Sequence, residues 1–517
     1  MRILWSSNSP FAATGYGMQT ATACARLQGM GHEMGIFAFY GLDGSKLDWF
    51  GMPIYPNPKH DWGVKLAPDF FKDFQADLLI TLVDVWVLGD MDPTLPWCPW
   101  FPVDHTPCPP LIIKALKSPG IVKPIAMSKY GVMEVAKSGI DCYYIPHSVN
   151  TKLFSPDAEA RKTGRERYKW QDKFVIGTVA TNHSERKNWS TSFQAARILA
   201  DRHPGEIRYY CHTHPGDERG INLVELRDNL HLEEVVFFPS IAQMIIGIPR
   251  DVLARAYNVM DVFLLPSKGE GFGIPLIEAQ ACEVPVITTN CTAQPELVGG
   301  GWLINGLRKI WTGQGSWQFE CDAEEVAERL EQAYQEWKDG SIQDKKTKAR
   351  EKALEYDDDK VYAEYWPKVL DDIEKRLKQP KNLEGIQQWR LLFVPQSCVP
   401  RKVLDLGCGI TQPYKKVLEH LGEYVGFDIK PGPGIVQGDA HQLPFKTKEF
   451  GFVWCSEMLE HARDPRQVVA EAKRVANHGI ILFSTPANSN FRIDPDHKVV
   501  QGIKYSVVAS GDGLISW

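Results

Sequence analysis

Two carboxylates, Glu270 and Glu278, bracket the glycine-rich run G-E-G-F-G-I-P-L-I-E. Gly269, Gly271 and Gly273 leave this turn bare of side chains, so its backbone N–H groups can approach an anion. Pro275 suits the first position of a helix, whose N-terminal dipole favours negative charge by ~0.3–1 kcal/mol when exposed. A carboxylate beside an anion site is unfavourable unless it binds something else, and sugar or ribose hydroxyls are good partners. The same two residues could form a helix-capping pair, with Glu278 in the first helical turn. Spacing alone leaves both readings open.

Three further groups could serve such a site. Arg186 and Lys187 lie between a strand at 174–180 and a helix at about 190–200. A diphosphate needs cationic donors, and charge-assisted hydrogen bonds are the strong ones. The bland alternative is a pair of solvated loop cations. Gly15 and Gly17 follow a first strand at 1–5 and precede an apolar-periodic segment at 18–27. They permit close backbone approach, but Thr20 occupies the third glycine position of a dinucleotide fingerprint, which this is not. Asp104 and His105 end a strand at 100–103, where ligands of open α/β sheets bind; His105 could equally be a loop histidine satisfied by local backbone. His212 and His214 alternate on one strand face, yet two histidines without a third ligand are a weak metal signal.

Positioning these residues takes alternating strands and helices. Short apolar runs at 77–83, 124–128, 143–146, 235–238, 261–265 and 286–289 read as buried parallel strands. Helices fit 129–138, 251–258 and 275–283. Residues 299–320 are rich in glycine and tryptophan, longer than a tight connection needs, and a candidate acceptor loop. Segment 322–356 is charged and helical, and Tyr362, Tyr365, Trp366, Val369 and Leu370 recur at helical spacing. The chain has 517 residues, enough for about three domains, and a net charge of -6. No Lys/Arg block suggests obligate nucleic-acid binding, although a local basic groove would still permit it. Eleven cysteines without a C-x-x-C pair point to reduced thiols and a cytoplasmic setting. The start MRILWSSNSP lacks the apolar core of a signal peptide, and no apolar run reaches ~18 residues.

The run G-E-G-F-G-I-P-L-I-E-A, with the flanking P-S and A-C-x-x-P-V-I, resembles the E-x7-E signature of retaining, nucleotide-sugar-dependent glycosyltransferases of the GT-B fold (family four, "group 1"). The resemblance extends over about 1–375. It implies an α/β fold of two Rossmann-like domains facing a cleft, with 1–150 as the acceptor domain and 151–375 as the donor domain. It implies that the loop of Gly15 and Gly17 lies at that cleft and that His105 faces the donor sugar. Arg186 and Lys187 would hold the diphosphate, Lys187 at the family's lysine position and Arg186 displaced from the usual arginine position near Thr181. Gly271, Phe272 and Gly273 would belong to the donor loop, with Glu278 on the ribose and Glu270 on the sugar hydroxyls. A terminal helix would cross back to the first domain. I-P-H-S-V-N-T-K-L-F-S-P at 145–156 departs from the family's I-P-N-G at His147 and Ser148.

After a linker at 376–400, V-L-D-L-G-C-G at 403–409 resembles the first motif of class I S-adenosylmethionine methyltransferases. A third Rossmann-like domain at 401–517 follows from it, with Asp405, Gly407 and Gly409 at the methionine part. Asp428 would take the ribose hydroxyls and Asp439 the adenine. The strings D-A-H-Q-L-P-F and S-E-M-L-E-H fit methyl transfer better than NAD binding. Only one further strand, at 505–509, is expected beyond the fifth, so this domain could be truncated.

Together these resemblances imply a two-headed transferase. A nucleotide-diphosphate sugar and S-adenosylmethionine would be its small molecules, with no metal. The acceptor would be a glycan or a lipid-linked glycan, which leaves room for peripheral membrane contact. Rival readings are a methyltransferase with an inactive, glycan-binding first half, a DNA-base glycosyltransferase, and a non-catalytic scaffold. Sugar, nucleotide and oligomeric state are not legible in the sequence.

Overall fold

The computed structural model describes residues 1–240, 247–378 and, between 402 and 483, all but 411, 413, 414, 420, 421, 457 and 459–461. The chain divides into two compact units, Met1–Pro380 and Lys381–Trp517.

The first unit holds two large sheets and a two-stranded ribbon. One has eight strands in the order Leu47–Trp49, Met52–Tyr55, Glu33–Tyr40, Arg2–Asn8, Leu78–Leu82, Trp97–Phe101, Ile125–Ala126, Tyr143–Tyr144. All pair in parallel except the first two, which form a hairpin. Ile3, Leu4 and Trp5 are fully buried, as a central parallel strand covered on both faces requires. Chain order reverses about Arg2–Asn8, so the loop that leaves it opens into the crevice of a topological switch point. That loop delivers the helix Gly15–Gly29, whose start is capped by Thr14 accepting from the Gly17 N–H at 3.0 Å.

The other sheet has six parallel strands in the order Val236–Phe237, Ile207–His212, Phe174–Val179, Val262–Leu265, Val286–Thr289, Gly301–Ile304. Its switch point lies between Phe174–Val179 and Val262–Leu265. The loop carrying Arg186 and Lys187 leaves the first of these strands, and the glycine loop leaves the second. Sheet topology thus brings together residues more than eighty positions apart.

The chain returns to the first sheet. Helix Trp366–Leu377 buries Trp366, Val369, Leu370 and Ile373, and the Trp366 ring lies 6.1 Å from Trp5 and 5.4 Å from Trp100. His147 and Ser148 sit at the junction. His147 Nδ1 is 3.1 Å from Gln19 Oε1, and its ring packs 4.5 Å from Trp100 and 5.3 Å from Phe272. Burial drives its pKa down to about 3, so the imidazole is neutral. Ser148 Oγ donates to Asp358 at 2.7 Å. Of the two departures from Asn-Gly, Ser148 fastens the returning chain at Asp358, and His147 packs between Trp100 of the first sheet and Phe272 of the glycine loop.

Residues 299–320 correct the expectation of a loop. They contain the sheet strand Gly301–Ile304 and a hairpin, Leu307–Trp311 paired with Trp317–Cys321. Trp317 exchanges two backbone hydrogen bonds with Thr106, at 2.9 and 3.0 Å, across to the other sheet's half.

The second unit holds five parallel strands in the order Ile435–Gln437, Glu423–Asp428, Lys402–Leu406, Phe450–Ser456, Ala476–Phe483. The turn after Lys402–Leu406 again opens at a switch point. The expected strand at 505–509, and the linker beyond 378, lie outside the described residues. No helix among the described residues is long and apolar enough to cross a membrane.

Candidate active site

Glu270 is 5% exposed, at the centre of the glycine loop. Its carboxylate lies between Arg186 Nη1, at 2.8 Å from Oε2, and Lys187 Nζ, at 2.5 Å from Oε1. Both cations come from the short 3-10 turn Glu185–Lys187. The two loops are joined by the Lys268 N–H donating to Arg186 O at 2.8 Å, and Arg186 also donates to Gly269 O at 2.6 Å. Burial alone would raise the Glu270 pKa. Arg186 and Lys187 outweigh it and hold the carboxyl at about 2. Lys187 is displaced the other way, its pKa lowered by burial and by Arg186.

The opposite wall belongs to the first sheet. Asp104 Oδ1 is 2.6 Å from His105 Nδ1, and Asp104 Oδ2 is 3.8 Å from Arg186 Nε. His105 is buried, and its backbone oxygen accepts from Tyr130 at 2.8 Å. Two groups join that the sequence reading did not single out. Asp84 follows strand Leu78–Leu82 and has its pKa raised to about 6 by burial and by Asp104. Tyr16, between Gly15 and Gly17, feels Asp84, Arg186, Asp104 and Glu270, and burial raises its pKa well above the ordinary value. Asp84 could have been found by extending the strand-end rule to residue 84; nothing in the sequence ties Tyr16 to it.

Several of the glycines also serve packing that the sequence does not reveal. A Cβ on Gly269 would lie 2.2 Å from Asp104 O, and one on Gly271 would lie 2.1 Å from Pro102 Cβ. Their bare faces let the two halves of the unit meet. Gly17 is likewise taken up by its own turn, since a Cβ there would lie 2.4 Å from Ala12 O. Gly15 remains open, its Cβ position 3.9 Å from Ile274 Cδ1. The starts of helices Gly15–Gly29 and Ile274–Ala281 are therefore neighbours, and both bring positive dipole ends to this place. Gly273 caps the second helix at φ +115°, a backbone that favours glycine. Phe272 is buried against His147 and Tyr356.

Helix Ile274–Ala281 starts one residue earlier than expected, with no acidic residue in its first turn. Glu278 thus lies too deep for the capping-pair reading. It is 2% exposed; Oε2 accepts from Tyr257 at 2.9 Å, and Oε1 is buried with no hydrogen-bond partner. Burial raises its pKa. An unsatisfied buried oxygen costs ~1–3 kcal/mol, and a ligand hydroxyl would meet that need. A cleft of about 480 Å³ opens beside Asp104, His105 and Arg186, and its walls also include Asp84, Trp86, Lys268 and Gln318; Glu270, Lys187 and Glu278 do not line it.

In the second unit Gly407 and Gly409 turn the chain at φ +78° and +64°. Asp428 accepts from the Gly409 N–H at 2.8 Å and the Lys430 N–H at 2.9 Å. Asp439, beyond the neighbouring strand, accepts from the His441 N–H at 2.9 Å. These four positions cluster at the strand ends. Asp405 does not join them as a free carboxylate: it is buried, bonded to the Tyr424 hydroxyl at 2.9 Å, and raised to about 7 by burial. His212 is tied to the Tyr210 hydroxyl at 2.9 Å. No cluster of three or more His, Cys, Asp or Glu that could hold a metal ion occurs among the described residues.

Comparison with known proteins gives two family matches. Residues 173–336 match the family described as glycosyl transferases group 1, and 404–483 match a methyltransferase domain. The chain is 30% identical over 165 residues to a GDP-mannose-dependent alpha-(1-6)-phosphatidylinositol monomannoside mannosyltransferase of Mycolicibacterium smegmatis, covering 31% of this chain and 41% of that protein. It is 32% identical over 128 residues to a ubiquinone biosynthesis O-methyltransferase of Hahella chejuensis, covering 21% of this chain and 54% of that protein. The chain thus spans less than two thirds of either relative. Sucrose-phosphate synthase from Thermosynechococcus elongatus superposes with a TM-score of 0.57 at 16% identity, over 72% of this chain and 99% of that one. The first unit has the GT-B fold.

Proposed function

We propose that this chain, which carries a group 1 glycosyltransferase domain followed by a methyltransferase domain, moves a sugar from a nucleotide-diphosphate donor to a glycan or lipid-linked acceptor. On this reading 1–150 receives the acceptor, 151–375 the donor, and the second unit binds S-adenosylmethionine through the Gly407–Gly409 turn, Asp428 and Asp439. The observation that carries it is the clamp of Glu270 by Arg186 and Lys187, together with the unpartnered, buried Oε1 of Glu278. A diphosphate would draw Arg186 and Lys187 to itself and release Glu270 to accept from sugar hydroxyls. Glu278 would take the ribose. Arg186, Lys187 and the two helix starts would stabilise the charge that develops as the bond from the anomeric carbon to the diphosphate breaks. The acceptor oxygen would bond to that carbon on the same face, giving retention, while its proton passes to a departing phosphate oxygen. His105, fixed by Asp104, would orient the sugar.

The mannosyltransferase relative makes GDP-mannose the first donor to test. A thermal-shift panel of nucleotide sugars and S-adenosylmethionine would decide, because a ligand at 100 times its dissociation constant stabilises by about 2.7 kcal/mol. We expect a shift with one nucleotide sugar that is lost in Glu278→Ala, and a separate shift with S-adenosylmethionine. Failure of every nucleotide sugar to shift the wild-type protein would sink the donor reading.

A further inference from the structure

The hairpin of Leu307–Trp311 and Trp317–Cys321 is fastened on both sides of the cleft. Toward the donor half, the Phe319 N–H donates to Lys268 O at 2.8 Å, and Lys268 Nζ meets Glu320 Oε1 at 2.8 Å. Toward the acceptor half, Trp317 pairs with Thr106, next to His105, and Ser316 Oγ donates to Pro107 O. Its tip is a tight turn, with the Thr312 N–H bonded to Ser316 O at 2.9 Å and Gly315 at φ +68°. The strands alternate. Ile310 and Gln318 are directly paired, so they share a face, and both line the cleft. Trp311 and Trp317 share the other face, and Trp311 is 60% exposed. Gln318 is buried, although it belongs to a ribbon of only two strands. Trp86, 39% exposed and on the turn that follows Asp84, lines the same cleft.

The chemistry of these walls selects a ligand class. The cations are spoken for: Arg186 by Glu270, Lys268 by Glu320. What remains toward the cleft is Asp84, Ser184, Glu185, the amides of Gln314 and Gln318, and the Trp86 indole, the Thr312 hydroxyl donating to Ser316 O at 3.0 Å. Acceptor-rich groups beside an aromatic plate suit a ring with hydroxyls around its edge and C–H groups on its face, and they repel an anion.

We propose that the hairpin and Trp86 form the acceptor subsite, and that they select an uncharged pyranose over a phosphorylated one. The donor half thereby supplies part of the acceptor's wall, so that one ribbon couples the two substrates. This rests on the transferase reading above and names the acceptor class for that same cleft.

The test uses the full chain with nucleoside diphosphate bound, and its probes are methyl pyranosides of mannose, glucose and galactose and a methyl mannoside 6-phosphate. Saturation-transfer NMR reads sugar binding, and calorimetry reads the nucleotide. We expect at least one neutral pyranoside to bind, about tenfold more weakly in Trp86→Ala and in Gln318→Ala, with nucleotide affinity unchanged in both variants. Absence of binding by every neutral pyranoside, equal binding in the two variants, or preference for the phosphorylated sugar overturns the proposal while leaving the donor reading intact. Failure of nucleoside diphosphates to bind the wild type overturns the donor reading instead, and pyranoside binding is then scored by itself in the two variants.

Discussion

The two units contain the same device, a parallel strand ending in a glycine turn at a switch point, and use it in opposite ways. At 269–273 the glycines are packed against protein, with Gly269 and Gly271 abutting residues 102–104. At 407–409 a Cβ on Gly407 would lie 2.5 Å from Met458 Cγ, but one on Gly409 would meet nothing within 4 Å. The acids differ in parallel. Glu270 is held by two side-chain cations, whereas Asp428 is held by two backbone N–H groups. In one unit glycine brings two halves of the protein together; in the other Gly407 makes room for the nearby Met458 side chain, and Gly409 bends the chain beside open space. A glycine-rich motif therefore states that backbone must come close to something, and the fold decides whether that is protein or ligand.

The sharpest way to break this contrast is Glu270→Gln. It leaves Arg186 and Lys187 without their counter-charge, and breaking a buried pair costs about 3–5 kcal/mol. We expect the lower end, because 31% of the Arg186 side chain is exposed. Denaturant unfolding at pH 7, read on the transition of the first unit, would show it; a loss near zero would mean the clamp behaves as a surface pair. The pH dependence has a definite sign. Glu270 is depressed to about 2 in the folded protein, against about 4.3 unfolded. Its stabilisation is complete above the unfolded value and fades as pH falls through the folded one. Next in size is Gly271→Ala, which drives a methyl group to 2.1 Å from Pro102 Cβ. Overpacking of this kind costs about 1–3 kcal/mol, again measured by denaturant unfolding. An unchanged midpoint would show that residues 102–104 can withdraw from the loop without cost.

The same contrast explains what the sequence could reveal. Strands such as Leu78–Leu82 are legible because both faces are buried and all but Thr81 of their residues are apolar. The glycine loop and Arg186-Lys187 are legible because motif and strand end coincide. Helix Trp366–Leu377 shows its packing face in its spacing. The hairpin at Leu307–Cys321 is not legible as strands: it carries Arg308, Lys309, Gln318 and Glu320, and beyond its own two strands it makes only the single bridge from Trp317 to Thr106. Its burial comes from the cleft, which no local pattern encodes. Asp84 and Tyr16 escape for a related reason. Residues 16, 84, 104 and 270 share no spacing, and only the sheet order makes them neighbours.

A smaller effect separates the cleft's two kinds of acid. Burial and Asp104 raise Asp84 to about 6, above its unfolded value of about 3.9. Its ionised form is thus penalised in the folded state. The penalty is absent below the unfolded value, grows between the two, and is full above the folded one. Asp84→Asn should therefore gain about 1 kcal/mol at pH 8, after discounting for the solvent side of the cleft, and gain nothing at pH 4. Equal stability differences at both pH values would show that Asp84 titrates normally.

The smallest stability change is expected at Gly409→Ala, and it is the one that most sharpens the comparison. The left-handed backbone at φ +64° costs an alanine about 1–2 kcal/mol. Part of that is offset because alanine restricts the unfolded chain, by about 0.4–1 kcal/mol. With no clash to add, the net loss should stay near 1 kcal/mol or below. If the open space over this turn is where S-adenosylmethionine comes against the backbone, the added methyl should weaken its binding about tenfold, as measured by calorimetry. Gly271→Ala should show the reverse weighting, with stability falling because protein already fills the space. A Gly409→Ala protein that binds S-adenosylmethionine as tightly as the wild type would remove the ligand from that turn and leave its glycine serving the bend alone.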